Sequence, residues 1–313
     1  MKIAIIGAGN IGGIVALLAI QRNLGEIVLF DVLDGKAKGK ALDLMQMATL
    51  LDRKSVSIYG TSSYTDIINA DICVITAGVP RASEKESREE LLQINLATIR
   101  QVACGVREYA PNAFCIIATN PVNVMSYIFY KLSKISKNLV VGMAGILDSA
   151  RFRTFLSEEL RVSARDISTI VLGDHNKNMI PLINFSSVAG VSLMELISMG
   201  FLKKEKLDKI IERVRNGGEE IMNLTGNCSA FYAPALSIVE MMESYIDDKK
   251  RVLPCSAYLN GEYSLSDMFL GVPVIIGNKG IEQILEIQLE PDERIKLINS
   301  SGSMRETISK IKL

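Results

Sequence analysis

Apolar residues in the first part of the chain come in short unbroken runs, and the stretches between them have helical period. Lys2-Ile3-Ala4-Ile5-Ile6 is the first run; a glycine turn follows, and then a helical stretch over 11–22. Further strands are predicted at 26–30, 55–59, 71–76, 113–118 and 138–141, with a helix over 36–51. Strands that are apolar on both faces and alternate with helices predict a parallel sheet covered on both sides. That is the doubly wound, Rossmann α/β pattern.

The pattern changes near residue 145. A long helix is expected over 149–161, then mixed short strands at 167–172 and 184–189. Helical segments follow at 203–224 and 233–244, antiparallel strands at 252–258 and 272–276, and a closing helix over 291–312. We find no repeat, low-complexity tract or flexible linker. The expected organisation is two fused lobes, a doubly wound unit over 1–145 and a mixed α+β lobe over 146–313. A ligand cleft between them is the natural place for a site.

Charge narrows the function classes. Lys plus Arg and Asp plus Glu are 35 each, so the balance carries no footprint for nucleic acid or an anionic membrane. Attraction for an acidic ligand must be local. The five cysteines (Cys73, Cys104, Cys115, Cys228, Cys255) are scattered without metal-ligand spacing. They read as reduced, mostly buried thiols of a cytoplasmic protein, and no metal is expected. No apolar run approaches the roughly 20 residues that a membrane span needs. The apolar N-terminus meets a glycine turn within a few residues, so it reads as a strand and not as a signal peptide.

Gly7-Ala8-Gly9-Asn10-Ile11-Gly12 follows the first strand and opens a helix. The first glycine allows the tight turn, the second lets a pyrophosphate approach the backbone, and the third lets helix and strand pack closely. The N–H groups of the helix N-terminus would then face the phosphates. Such a turn alone is weak evidence. Here the second strand ends at Phe30-Asp31, where an acid can bind both ribose hydroxyls and repel a ribose phosphate, which favours NAD over NADP.

Other polar residues fall where ligands bind in this architecture. Arg81 lies in the loop after the fourth strand, and Arg88 at its base, where Ser87 and Glu90 make a capping box for a helix starting near Arg88. Thr119-Asn120-Pro121-Val122-Asn123 follows the fifth strand. Pro121 suits the first helical position, and the proline holds Asn120 out of the helical region. Asp148 and Arg151 are three apart on a helix and share a face, although a surface ion pair explains that spacing equally well. His175 is the chain's single histidine. Together they can move a proton while a cofactor moves a hydride.

This constellation resembles the lactate/malate dehydrogenase family over nearly the whole chain, most closely its lactate-dehydrogenase-like malate dehydrogenases. The marks are Gly7 to Gly12, Asp31, Gly39-Lys40-Ala41-Leu42-Asp43-Leu44, Ala77-Gly78-Val79-Pro80-Arg81, Ser87-Arg88, Thr119 to Asn123, Leu147-Asp148-Ser149-Ala150-Arg151-Phe152 and Ser229-Ala230-Phe231-Tyr232-Ala233-Pro234. The resemblance implies NAD as cofactor, held by Gly7, Ala8, Gly9, Asn10, Ile11, Gly12, Asp31, Asn95, Ala118, Thr119 and Asn120. It implies His175 as acid/base, oriented by Asp148, with Arg88 polarising the reacting oxygen. Arg151 clamps the substrate's C1 carboxylate, and Asn120 contacts substrate and nicotinamide. It implies reversible oxidation of (S)-malate to oxaloacetate, in the tricarboxylic acid cycle, by a cytoplasmic homodimer or homotetramer. Arg81 decides the substrate. Malate enzymes carry Arg there, and lactate enzymes an uncharged residue. The physics agrees, because a second, desolvated carboxylate wants a planar bidentate donor.

One departure stands out. The family reads Gly-His-Gly-Asp around the histidine, whereas this chain reads Asp174-His175-Asn176-Lys177. Asn tolerates positive φ best among non-glycine residues, so Asn176 is expected to keep a positive-φ turn. The alternative within the class is a lactate or other 2-hydroxy acid dehydrogenase. An NAD-using glycoside hydrolase would need a metal site and a longer chain. A non-catalytic NAD-binding protein would have no need of every acid, base and clamp position.

Overall fold

The structure is a computed structural model that describes residues 1–51, 57–79, 88–226 and 228–311, the side chains of Arg88 and Glu89 excepted. Six parallel strands build the first half: β1 (Lys2–Ile6), β2 (Glu26–Phe30), β3 (Ile58–Thr61), β4 (Ile72–Ile75), β5 (Phe114–Ile117) and β6 (Val140–Gly142). Helices α1 (Asn10–Gln21), α2 (Asp34–Leu50), α3 (Arg88–Tyr109) and α4 (Val122–Ser133) connect them. The order is β3-β2-β1-β4-β5-β6, with Ile3 opposite Ile27 on one side and Ile72 on the other. Chain direction across the sheet therefore reverses between β1 and β4. A doubly wound sheet opens a ligand crevice at that switch point, beyond the carboxyl ends of the strands. The strands are almost wholly buried, as their unbroken apolar runs require.

The second half contains α5 (Gly145–Leu160), the short strands β7 (Ile167–Ser168), β8 (Val171–Leu172), β9 (Ile180–Pro181), β10 (Ser187–Val188) and β11 (Val191–Ser192), and the helices α6 (Leu193–Ser198), α7 (Lys204–Thr225) and α8 (Tyr232–Ile246). Three long strands follow, β12 (Arg251–Asn260), β13 (Ser266–Gly277) and β14 (Gly280–Ile284), and α9 (Pro291–Ser309) closes the chain. β12 pairs antiparallel with β6 where Ser256 faces Gly142. Among the described residues nine strands thus form one continuous sheet that ends in β12-β13-β14. The sheet therefore runs through both halves. One apolar core runs through both, from Ile3, Val74 and Ile116 to Met241, Phe269 and Val272. A smaller cluster sits beneath α5 and α7, around Phe152, Leu156, Leu207 and Val214.

Two helix starts differ from expectation. α5 begins at Gly145, ahead of the expected 149, so Asp148 lies in its first turn, where a negative charge is favoured by the helix dipole. α4 begins at Val122, and Pro121 is the residue before it, with φ −69° and ψ 116°. The Asn120–Pro121 peptide is cis. The third strand was expected at 55–59; it runs from Ile58 to Thr61, and Ser55 and Val56 lie outside the described residues.

Candidate active site

The glycine turn is built as its spacing requires. Gly7 has φ +116°, and a Cβ on it would lie 2.6 Å from the Ala77 nitrogen. A Cβ on Gly12 would lie 2.0 Å from the Gly7 carbonyl oxygen, so the third glycine lets α1 pack against the turn. Gly9 is different, because a Cβ there would meet nothing within 4 Å among the described residues. None of the described residues requires a glycine at that position, and the open space suits a phosphate against the backbone. α1 starts after Gly9 with no side-chain cap and no acid in its first turn. Its leading N–H groups are left for an anionic ligand. Ala8 is buried within the turn, while Asn10 is exposed and Ile11 half-buried.

Asp31 is buried at the end of β2. It accepts from the Ala8 amide at 2.9 Å, the Leu33 amide at 3.1 Å and Lys36 Nζ at 3.0 Å. Burial pushes its carboxyl up, but the Leu33 amide, Lys36 and the Ala8 amide outweigh it and hold the group below the ordinary value. A carboxylate offers about four acceptor positions. Three are in use, so capacity for a ribose hydroxyl is retained. The residues of this half fit an adenine dinucleotide.

Hydrogen bonds tie the carboxyl ends of the strands together. Thr76 Oγ1 donates to the Gly7 carbonyl at 2.9 Å, and Thr119 Oγ1 to the Ala77 carbonyl at 2.6 Å. Asn95 accepts from the Val79 amide at 2.8 Å and donates to the Asn120 carbonyl at 2.9 Å. It is buried, so in this structure its amide braces two loops. The brace lies at the strand edge where the cofactor is expected to run. Ala118 and Thr119 are buried at the same edge, and Asn120 is exposed. Arg81 and the capping residue Ser87 lie outside the described residues. α3 begins at Arg88 as expected.

The acid–base cluster comes from α5 and the turn after β8. Ser149 staples the two: its hydroxyl accepts from the Val171 amide at 3.0 Å, and its carbonyl accepts from Thr169 Oγ1 at 2.8 Å. This brings Asp148 beside His175. The Asp148 carboxylate is almost fully buried and divides its oxygens. Oδ2 lies 2.7 Å from His175 Nδ1, and Oδ1 accepts from an Arg151 Nη at 3.1 Å. A carboxylate accepts, so Nδ1 is the donor side of this contact and Nε2 is the ring nitrogen left for a substrate. Asp148 is the one protein acceptor of Arg151 among the described residues, so most of that guanidinium remains available.

The histidine turn departs from expectation. Asn176 is not in a positive-φ conformation; the positive φ falls at Gly173, at +88°. Asn176 serves through its side chain. Its oxygen accepts from the Asn178 amide at 2.7 Å, and its amide donates to the Asp174 carboxylate. Asn178 thereby gains a partner that a glycine could not supply. Asp174 also accepts from Asn123 at 2.8 Å, and its amide donates to the Ser300 hydroxyl at 3.1 Å. Burial pushes the Asp174 carboxyl up, against the pull of His175 and its amide donors. Lys177, where the family has an acid, pairs with Glu219 on α7 at 2.9 Å.

The structure thus gathers His175, Asp148 and Arg151 in one cluster, and Gly7 to Gly12 with Asp31 in another. The bracing bonds lead from the turn through Thr76, Thr119 and Asn120 to the start of α4. There Asn123 reaches the histidine turn. Sequence reasoning assigned no part to Ser149, Thr76 or Asn123. A Ser directly after a helix-borne acid was the available signal for the staple. Among the described residues, no group of three or more His, Cys, Asp or Glu is arranged to hold a metal ion.

Comparison with known proteins shows the family and the fold. The profile of the lactate/malate dehydrogenase NAD binding domain matches residues 1–142, and that of the lactate/malate dehydrogenase alpha/beta C-terminal domain matches 146–313. Malate dehydrogenase 1 of Anaeromyxobacter dehalogenans is 51% identical over 100% of this chain and 98% of its own length. The crystal structure of Cryptosporidium parvum malate dehydrogenase superposes with a TM-score of 0.96 at 42% identity, covering 99% of this chain and 98% of that one. The C. parvum lactate dehydrogenase, complexed with lactic acid and NAD, gives 0.94 at 41%, covering 99% and 96%. A nucleotide-binding sheet that leads into a histidine–carboxylate–guanidinium cluster defines a dehydrogenase of 2-hydroxy acids. The chain belongs to the lactate/malate dehydrogenase family.

Proposed function

We propose that this chain is an NAD-dependent malate dehydrogenase that interconverts (S)-malate and oxaloacetate. The observation that carries the reaction class is the Asp148 carboxylate shared between His175 and Arg151. When bound, NAD accepts or returns the hydride at C2 of the substrate. Residues 1–145 hold it, the phosphates at Gly7 to Gly12 and α1, the ribose at Asp31, the remainder along Asn95 and Ala118 to Asn120. Residues 146–313 supply the acid–base and clamp groups.

In the oxidative direction His175 Nε2 takes the hydroxyl proton. The imidazolium that results is stabilised by the carboxylate at Nδ1. In reduction the same nitrogen returns the proton to the forming hydroxyl. Arg151 pairs with the C1 carboxylate through donors that Asp148 leaves free. In this reading Arg88 polarises the reacting oxygen, Asn120 contacts substrate and nicotinamide, and Arg81 pairs with the second carboxylate.

Full-length relatives named malate dehydrogenase and the arginine at position 81 support malate as the substrate. The likeness to lactate dehydrogenases keeps pyruvate as the comparison substrate. NADH oxidation should proceed far faster with oxaloacetate than with pyruvate. Arg81→Gln should lower kcat/KM for oxaloacetate by two to three decades and leave pyruvate reduction steady. One partner of a desolvated charge pair costs on the order of 3–5 kcal/mol to remove. A parallel fall for both substrates would remove Arg81 as the discriminator.

We also propose a cytoplasmic homodimer or homotetramer acting in the tricarboxylic acid cycle. Leu42 and Met45 on α2, with Tyr232 and Leu236 on α8, are large apolar side chains left exposed, which supports self-association. Among the described residues no helix is long and apolar enough to cross a membrane.

A further inference from the structure

α7 carries two adjacent glycines, Gly217 and Gly218, within its 22 residues. Each costs about 1 kcal/mol relative to alanine in a helix interior. Neither has a positive φ, and neither ends the helix, which runs on to Thr225 before its left-handed cap at Gly226. Backbone conformation therefore explains neither. What faces them explains one. A Cβ on Gly217 would stand 3.1 Å from Cδ and 3.3 Å from Nε of Arg151. Among the described residues a Cβ on Gly218 would meet just an Arg151 Nη, at an ordinary 3.9 Å.

The Arg151 side chain thus lies against the bare backbone of α7 at Gly217, while Asp148 on α5 holds one Nη. Two constraints fix the guanidinium plane: the carboxylate on its own helix and the absent side chain on the facing one. The same stretch of α7 carries Glu219, which pairs with Lys177 of the histidine turn at 2.9 Å. The α7 backbone therefore stands beside both the clamp and the acid–base turn.

We propose that Gly217 is a positioning residue for substrate binding. Its missing side chain sets where the Arg151 guanidinium rests, and so the affinity for the substrate's C1 carboxylate. This rests on Arg151 being the carboxylate clamp. A methyl at 217 would push Arg151 off its seat by a few tenths of an ångström, and a misplacement of about 1 Å in a catalytic constellation can cost about a hundredfold.

The test compares Gly217→Ala with Gly218→Ala, both of which raise helix propensity equally. Gly217→Ala should raise KM for oxaloacetate about 3- to 30-fold. Its kcat should change less, its NADH affinity by fluorescence titration should be unaltered, and its Tm should be equal or higher. Gly218→Ala should keep KM within about twofold. In an Arg151→Ala background Gly217→Ala should have no further effect on KM, because the group it displaces is gone. An unchanged KM in Gly217→Ala, or an equal rise in both glycine variants, overturns the proposal. So does a KM effect that persists without Arg151, and so does a fall in Tm, which would mean that α7 itself cannot take the methyl. If Arg151→Ala alone leaves KM unchanged, the clamp reading fails instead, and the two failures are distinguishable.

Discussion

Asp148 carries both halves of the acid–base and clamp chemistry on one carboxylate. One oxygen fixes the imidazole and the other the guanidinium, so neither can turn without disturbing the other. His175→Asn keeps a side chain of similar reach and removes the proton carrier. Turnover should fall by about two to four orders of magnitude. NADH binding, measured by fluorescence titration, should hold, because the glycine turn is built by β1, β2 and α1. A variant that keeps the wild-type rate would show that the proton travels another way. At this scale the sequence was readable where chemistry singles a residue out. His175 has no competitor, and Asp148 and Arg151 share a helix face. It was not readable for Asn176, because a residue's φ is settled by its neighbours. The positive φ fell on Gly173, and Asn176 became a side-chain brace. Nor was Asn95 readable as a brace, since its partners Val79 and Asn120 sit in different loops.

At the scale of elements, Asp31 joins β2 to the glycine turn and to the approach of α2. Its carboxyl sits below the ordinary value of 3.8, so the folded state holds its proton more weakly than the unfolded chain does. The stabilisation it gives is present above that value and is lost as pH falls through the lower, folded one. Asp31→Asn should therefore lower Tm at pH 7, and the deficit should shrink on acidification through and below 3.8. The same variant loses the negative charge that repels a ribose phosphate, so the preference for NADH over NADPH should narrow. A Tm deficit independent of pH would mean that charge plays no part in holding the turn. Elements of this kind were the most legible. β1 and β2 match expectation at both ends, because their apolar runs are bounded by a glycine turn and by Asp31. β14 and α6 were missed. Each is short, and Glu282 and Gln283, or Glu195, interrupt the apolar pattern. The early start of α5 was hidden because Gly145, a poor helix former, occupies its first position.

The whole molecule differs most from what local pattern could tell. Pairing of Ser256 with Gly142 joins strands far apart in the chain, and no periodicity encodes it. The consequence is mutual dependence of the halves. Without β12, β6 would be an open edge with unpaired backbone groups. Phe114 of β5 stacks on Tyr245 of α8, with ring centroids 4.6 Å apart. Arg22, at the end of α1, reaches Glu243 of α8 at 2.5 Å, and Lys131 of α4 reaches Asp267 of β13 at 2.7 Å. A fragment of residues 1–145 would expose the Phe114 face and the β6 edge together. Expressed alone, it should aggregate or melt without cooperativity, although it contains the entire glycine turn and Asp31. Co-expression with 146–313 should restore a soluble complex that binds NADH. In the intact chain NADH should slow hydrogen exchange in β12 and β13 as well as in β1 and β4, because a ligand at 100 times its Kd adds about 2.7 kcal/mol to whatever unfolds as one unit. A soluble fragment 1–145 with a sharp melt and full NADH affinity would show that the shared sheet is a seam between independent domains. Protection confined to the first half would point the same way.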